Sequence, residues 1–291
     1  MKKILSFIFL SFILLFSTSF VNDSGWEKLF DKNLSKWNMY QSFRHKDGYK
    51  GKTPVDENGA LIPPIGLNKN EAGFVTISMV NNEPEVRISG ETYGCIFTKL
   101  DYQNYHLKLM VKFGDKKWVP RLNEPKDSGL LYHSHGEFGD EYWHSWMPAE
   151  EFQIMEGGFG DYWCVGAVGA HIKMHDPEAN KNMGVYDPKG IDAQMGVGGH
   201  RNGFVQHSQD YEKHGDWNSV ELICYGDKSI QIINGHVVMA LTQLVYKDGD
   251  TIKPLIKGKI QLQSEAAEVF YKDVQIKSIN SIPAGYASYF E

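Results

Sequence analysis

Ser219-Val220-Glu221-Leu222-Ile223-Cys224-Tyr225 is followed by Ser229-Ile230-Gln231-Ile232-Ile233, then Asn234-Gly235, then His236-Val237-Val238-Met239-Ala240. Short runs of β-branched and aromatic residues, interleaved with polar ones, read as half-buried strands. Asn-Gly supplies the positive φ that a two-residue hairpin turn needs, so the second and third runs pair antiparallel. Outward from this hairpin the same signal recurs. Asn104 to Phe113 alternates apolar and polar side chains, and Lys259 to Glu265 and Val269 to Lys277 close the set. Helical periodicity is scarce. Many short strands without intervening helices predict an all-β chain, an antiparallel sandwich or jelly roll.

Two regions break the strand pattern. Arg44 to Ala72 is rich in Gly, Pro, Lys and Asn and reads as an insertion between early strands. His171 to Asp216 carries five histidines among Gly, Asp and Asn, and reads as a long functional loop. With no internal repeat and no linker, residues 22–291 are expected to form one domain. Ahead of it, Met1-Lys2-Lys3, an apolar run from Ile4 to Phe16 and Ser17-Thr18-Ser19 have the layout of a signal peptide over residues 1–21. That run is too short for a comfortable span of about twenty residues, and no later segment is apolar enough to cross a bilayer. The protein is therefore expected to be exported, to the periplasm, the cell surface or the medium. Cys95, Cys164 and Cys224 are odd in number and widely spaced, and read as buried free thiols. A net charge of −6 argues against nucleic acid and anionic membrane as partners.

Chemistry concentrates in Glu151-Phe152-Gln153-Ile154-Met155-Glu156. Side chains alternate along a strand, so Glu151, Gln153 and Met155 share one face and Phe152, Ile154 and Glu156 the other. One β-bulge would return Glu156 to the face of Glu151. The two glutamates would then flank one bond, as acid/base or nucleophilic work on a sugar requires. Eight of the eleven histidines lie between His133 and His214. In Leu131-Tyr132-His133-Ser134-His135, His133 and His135 share the face of Leu131, and on a concave face His133 would point at the cleft of Glu151. Tyr142, Trp143, Trp146, Phe159, Tyr162 and Trp163 flank the carboxylate strand, and such rings stack on the apolar faces of sugars. Gln261, Gln263 and Glu265 share a polar strand face that could line the cleft opposite Glu151 or face solvent. His171 and His175 have metal-ligand spacing but lack the glutamate of a zinc-protease helix.

These pieces resemble, in order and spacing, the 3-keto-disaccharide hydrolase family. The resemblance runs from Gly25-Trp26-Glu27-Lys28-Leu29-Phe30-Asp31 through Phe97–Tyr105, Asp127–His133, Glu151–Gly157, Asp216–Glu221 with Asn234-Gly235, and Gly258–Glu265, to Phe270–Ile276. It implies a concanavalin A-like β-sandwich of two antiparallel sheets with long loops over a concave, sugar-binding face. It also implies cleavage of 3-keto-glucosides by C2 proton abstraction, elimination of the C1 substituent and hydration. A sugar 3-oxidoreductase would then act upstream. On this reading His133 or Glu151 removes the C2 proton and Glu156 protonates the leaving oxygen. Gln153 and Lys99 orient the sugar with His135 and Glu265, and Trp143 and Trp163 form the stacking wall. No cofactor is certain, and a divalent metal ion is one way to stabilise the enolate. The six-residue run is also similar to the Glu-x-Asp-x-x-Glu signature of laminarinase-like retaining glycosidases, with Gln153 in place of the central Asp. A non-catalytic carbohydrate-binding domain is the third reading.

Overall fold

The computed structural model describes residues 25–44, 54–139, 145–175, 184–199 and 203–291. The expected signal peptide lies outside them. The strands are β1 (Glu27–Lys28), β2 (Trp37–Arg44), β3 (Gly66–Leu67), β4 (Val75–Val80), β5 (Glu83–Ile88), β6 (Thr92–Thr98) and β7 (Tyr105–Lys117). Then come β8 (Asp127–Ser134), β9 (Ala149–Met155), β10 (Tyr162–Val165), β11 (Val168–His175), β12 (Gly184–Tyr186), β13 (Ile191–Gly196) and β14 (Phe204–Gln206). The set ends with β15 (Asn218–Tyr225), β16 (Lys228–Ile233), β17 (His236–Asp248), β18 (Thr251–Pro254), β19 (Lys259–Ser264) and β20 (Ala267–Ser278).

Hydrogen bonding runs through one rolled ribbon of two layers. One layer is β4–β5–β20–β7–β15–β16–β17–β11, and the other is β14–β10–β9–β8–β19–β6–β2–β3. Strand β12, antiparallel to β11 and parallel to β14, joins them. The predicted sandwich is present, and its alternation is the cause. Tyr105, Leu107, Leu109 and Val111 of β7 are buried between the layers while their neighbours are half exposed. They meet Leu130 and Tyr132 of β8 and Phe152 and Ile154 of β9 in the opposite layer, and share the core with Leu222, Ile230 and Ile232 of their own layer. Two hydroxyl pairs tie the layers through this core, Ser128 to Tyr271 and Tyr132 to Ser229, each at 2.7 Å. Asn234 (φ 49°) and Gly235 (φ 84°) make the hairpin turn that the sequence predicts. The three cysteines are free thiols.

The reading of His171 to Asp216 as one long loop needs correction. Strands β11 to β14 occupy about half of its described part. They are short and partly exposed, so their apolar alternation is faint among glycines and charged residues.

A second apolar cluster lies on the concave side of the β8 layer. Tyr40, Tyr93, Cys95, Phe97, Leu131, Ala149 and Val165 project from it, and Trp146 and Met147 cover them from the segment between β8 and β9. The described residues of that segment fill one part of the concave face and border the site.

Candidate active site

The open part holds a cavity of about 460 Å³. Its floor is built by register. Gly129 of β8 stands opposite Gln153, and Leu131 opposite Glu151, while Glu151 stands opposite Trp163 of β10. On the other side β19 brings Gln263 and then Glu265, which forms a bridge to Asp127. Glu151, Gln153, Gln263, Asp127 and Glu265 thus converge over Gly129. A Cβ at Gly129 would stand 2.2 Å from Glu151 Oε1 and 2.6 Å from Gln263 Oε1, so only a bare backbone leaves room for both side chains. The Gln263 Oε1 atom is buried without a hydrogen-bond partner.

Arg121, from the loop after β7, organises the acidic end. Its Nη1 donates to Asp127 Oδ2 at 2.5 Å and to Glu265 Oε1 at 2.6 Å. Gln153 Nε2 donates to Asp127 Oδ1 at 2.9 Å. Burial pushes the Asp127 carboxyl well above the usual carboxylate range, the Glu265 charge adds to this, and Arg121 offsets part of it. Glu265 is also raised by burial against the pull of Arg121. Two buried carboxyls on one guanidinium nitrogen favour a state that keeps a proton between them. Trp146 and Trp163 wall the cavity, with Trp163 leaning on Phe204 at 4.4 Å between centroids.

Of the residues singled out by sequence, Glu151, Gln153, Gln263, Glu265, Trp146 and Trp163 line this cavity, whereas Gln261 does not. Trp143 lies outside the described residues. Glu156 does not join them. β9 pairs with β8 without a bulge up to Met155, so Glu156 stays on the opposite face, where its carboxylate takes Lys126 N–H at 3.1 Å and stands 3.3 Å from Lys126 Nζ. The Glu151–Glu156 pair that a laminarinase-like glycosidase needs is therefore not formed.

The bulge lies in β8 instead. Lys259 pairs with Ser134 and Gln261 with Leu131, so Tyr132 and His133 together oppose Ile260. His133 takes φ 53° and turns into the core between Tyr105 and Tyr132. Burial drives its pKa down to about 4, so it is a neutral core imidazole rather than a base in the cleft. Lys99 sits beyond β6, exposed, with Nζ on the Ser35 carbonyl at 2.7 Å. His135 packs edge-on against Tyr246, 4.6 Å between centroids, away from the cavity. Histidines of the 171–214 stretch also pair elsewhere: His171 with Asp192 at 2.8 Å and His207 with Asp161 at 2.5 Å.

Sequence reasoning missed Arg121 and the part played by Asp127. Asp127 was findable, since it shares the alternation of Gly129 at the head of a strand. Arg121 comes from an irregular loop and carries no periodic signal. Among the described residues the cavity carboxyls do not fit a divalent metal, because Asp127 and Glu265 hold the Arg121 guanidinium between them. Among the described residues, Asp210, Glu212 and His214 alone have ligand spacing, and they lie outside the cavity.

A β-sandwich with a carboxyl-lined cavity under aromatic walls defines a carbohydrate-active domain. More narrowly, the chain belongs to the 3-keto-α-glucoside-1,2-lyase-like family, whose profile matches residues 25–277. A glycosyl hydrolase candidate from Parabacteroides distasonis ATCC 8503 is similar over 87% of this chain and 99% of its own, at 17% identity and TM-score 0.45. The carbohydrate-binding module CBM66 from Bacillus subtilis is similar over 70% of this chain and 92% of its own, at 9% identity and TM-score 0.40. LamAcat from Zobellia galactanivorans is similar over 84% and 91%, at 10% identity and TM-score 0.40. No curated protein sequence matches the chain.

Proposed function

We propose that this protein is an exported enzyme that cleaves 3-keto-glucosides by elimination and hydration. The observation that carries the reading is the division of the cavity's carboxyls. Glu151 stands over Gly129 beside Gln263, while Asp127 and Glu265 share Arg121. A ketone at C3 acidifies the C2 hydrogen, which gives a carboxylate base a proton to take. Glu151 removes that proton, and the C2 electron pair forms the enolate. The enolate expels the aglycone from C1, and the leaving oxygen takes a proton from the Asp127–Glu265 pair, whose environment retains one. Water then adds at C1 and a proton returns to C2, which completes net hydrolysis. Arg121 supplies positive potential for the enolate. Gln263 Oε1, buried and unpartnered, accepts a sugar hydroxyl, and Trp146 and Trp163 bracket the ring.

The test is solvent deuterium exchange at C2 of a 3-keto-glucoside, measured beside cleavage. Glu151→Gln is expected to lose both, by at least a hundredfold. Asp127→Asn and Glu265→Gln are expected to keep exchange and lose cleavage, and Glu156→Gln to keep both. Cleavage of the parent glucoside at the same rate as its 3-keto derivative would sink the proposal. Glycan binding without turnover of either sugar would assign the domain to binding alone.

A further inference from the structure

Phe138, Ser145, Trp146 and Met147, from the described part of the segment between β8 and β9, pack onto one end of the concave face. A groove open at both ends would cross the strands of the concave layer from β10 to β2. Here its β6–β2 end is filled. Phe138 stacks on Tyr40 at 4.0 Å and 12° and meets Phe97 edge-on at 5.1 Å. Trp146 lies over Tyr93, 6.0 Å between centroids, and its Nε1 donates to the Gly94 carbonyl at 2.8 Å. Ser145 Oγ and Ser42 Oγ are 2.7 Å apart. Gln261 clamps the next residue on both sides: its Oε1 accepts Met147 N–H and its Nε2 donates to the Met147 carbonyl, both at 3.2 Å. Trp146 is 4% exposed and borders the cavity directly, whereas Trp163 at the far side is 41% exposed. Among the described residues the cavity is therefore blind at Trp146 and open toward Trp163.

We infer that the site takes a chain-terminal keto-sugar end-on, with the wall at Trp146–Met147, clamped by Gln261, excluding internal rings of a longer glycan. This rests on the 3-keto-glucoside reading. The reacting ring lies against Trp146 beside Glu151, and the aglycone leaves toward Trp163. A ring substituted on its far side has nowhere to put that substituent without displacing residues tied to the sheet by hydrogen bonds and stacked rings. The specificity is steric, set by residues that take no part in the chemistry.

Two glucose trisaccharides test it, one with the single 3-keto group in the non-reducing terminal ring and one with it in the central ring. The terminal isomer is expected to turn over within fivefold of a 3-keto-disaccharide, and the central isomer at least a hundredfold more slowly. Comparable turnover of the two isomers overturns the inference and leaves the chemistry standing. Phe138→Ala and Gln261→Ala are expected to raise central-ring turnover at least tenfold, and where a variant fails to fold, the wild-type comparison still decides. If neither isomer reacts, the chemical reading has failed. The wall is then read by calorimetric titration of the wild type with unoxidised glucosides, with and without a further glucosyl group on the terminal ring. At least tenfold weaker binding of the extended glucoside supports the wall. Equal affinity, or binding of neither, overturns it.

Discussion

At the scale of single residues, one buried ionisable group behaves unlike its neighbours in sequence. Glu150 points away from the cavity into the core, where the Tyr162 hydroxyl donates to its Oε2 and its other oxygen has no partner. Burial pushes its carboxyl well above the ordinary range, so the native state holds the proton. The sign of the linkage follows. Below the ordinary carboxylate range both folded and unfolded chains are protonated, and the group adds no pH dependence. As pH rises past that range the unfolded chain releases the proton, and stability is lost until the native pKa is passed. Glu150→Gln keeps an acceptor for Tyr162 and removes the titration. The variant is expected to lose less thermal stability than wild type between pH 5 and pH 8, and to exceed it at pH 8. Parallel melting curves across that range check this, and identical pH slopes would refute it. Glu151 and Gln153 were legible from strand alternation alone, whereas Glu156 was misread because the alternation holds without interruption to the end of β9. Arg121 had no signal to read, since only tertiary contact brings its loop to Asp127 and Glu265.

At the scale of elements, most strands could be read directly, because their apolar residues alternate with period two. The β15–β16–β17 meander is the clearest case, and its turn carries unusual weight. Asn234 Oδ1 accepts Ser219 N–H at 2.9 Å, and Nδ2 donates to the Tyr211 carbonyl and to Asn218 Oδ1, both at 2.8 Å. Asn234→Ala loses these bonds and forces an alanine into left-handed backbone. A loss of roughly 2–3 kcal/mol is expected, with Asn234→Gly losing less because it accepts the backbone without strain. Urea denaturation of the two variants measures the difference, and equal losses would show that the side-chain bonds alone matter. The position of the β8 bulge was not legible. It depends on the φ of His133, and a run of apolar and polar letters does not specify which strand takes the extra residue.

At the scale of the whole molecule, two apolar clusters share strands. Leu130 and Phe152 enter the core between the layers, while Leu131 and Ala149 enter the cluster under Trp146. The concave cluster is built on the same backbone as the main core, which gives the wall of the cavity a rigid footing. The junction of the two layers through β12 and β14 has another effect. A sandwich of separate sheets exposes four rows of unsatisfied peptide groups, and rolling one ribbon consumes two of them. Of those left, β4 is the vulnerable one. Val75–Val80 pairs with β5 on one side, and Ile77, Met79 and Val80 are 36%, 52% and 48% exposed. Ile77→Lys is expected to change folding stability by less than about 0.5 kcal/mol and to slow self-association at high concentration, as followed by light scattering. Unchanged scattering would clear this strand. A chain that closes itself on one flank thus leaves an apolar free edge on the other, and a single charge there is expected to raise the concentration its solutions can reach.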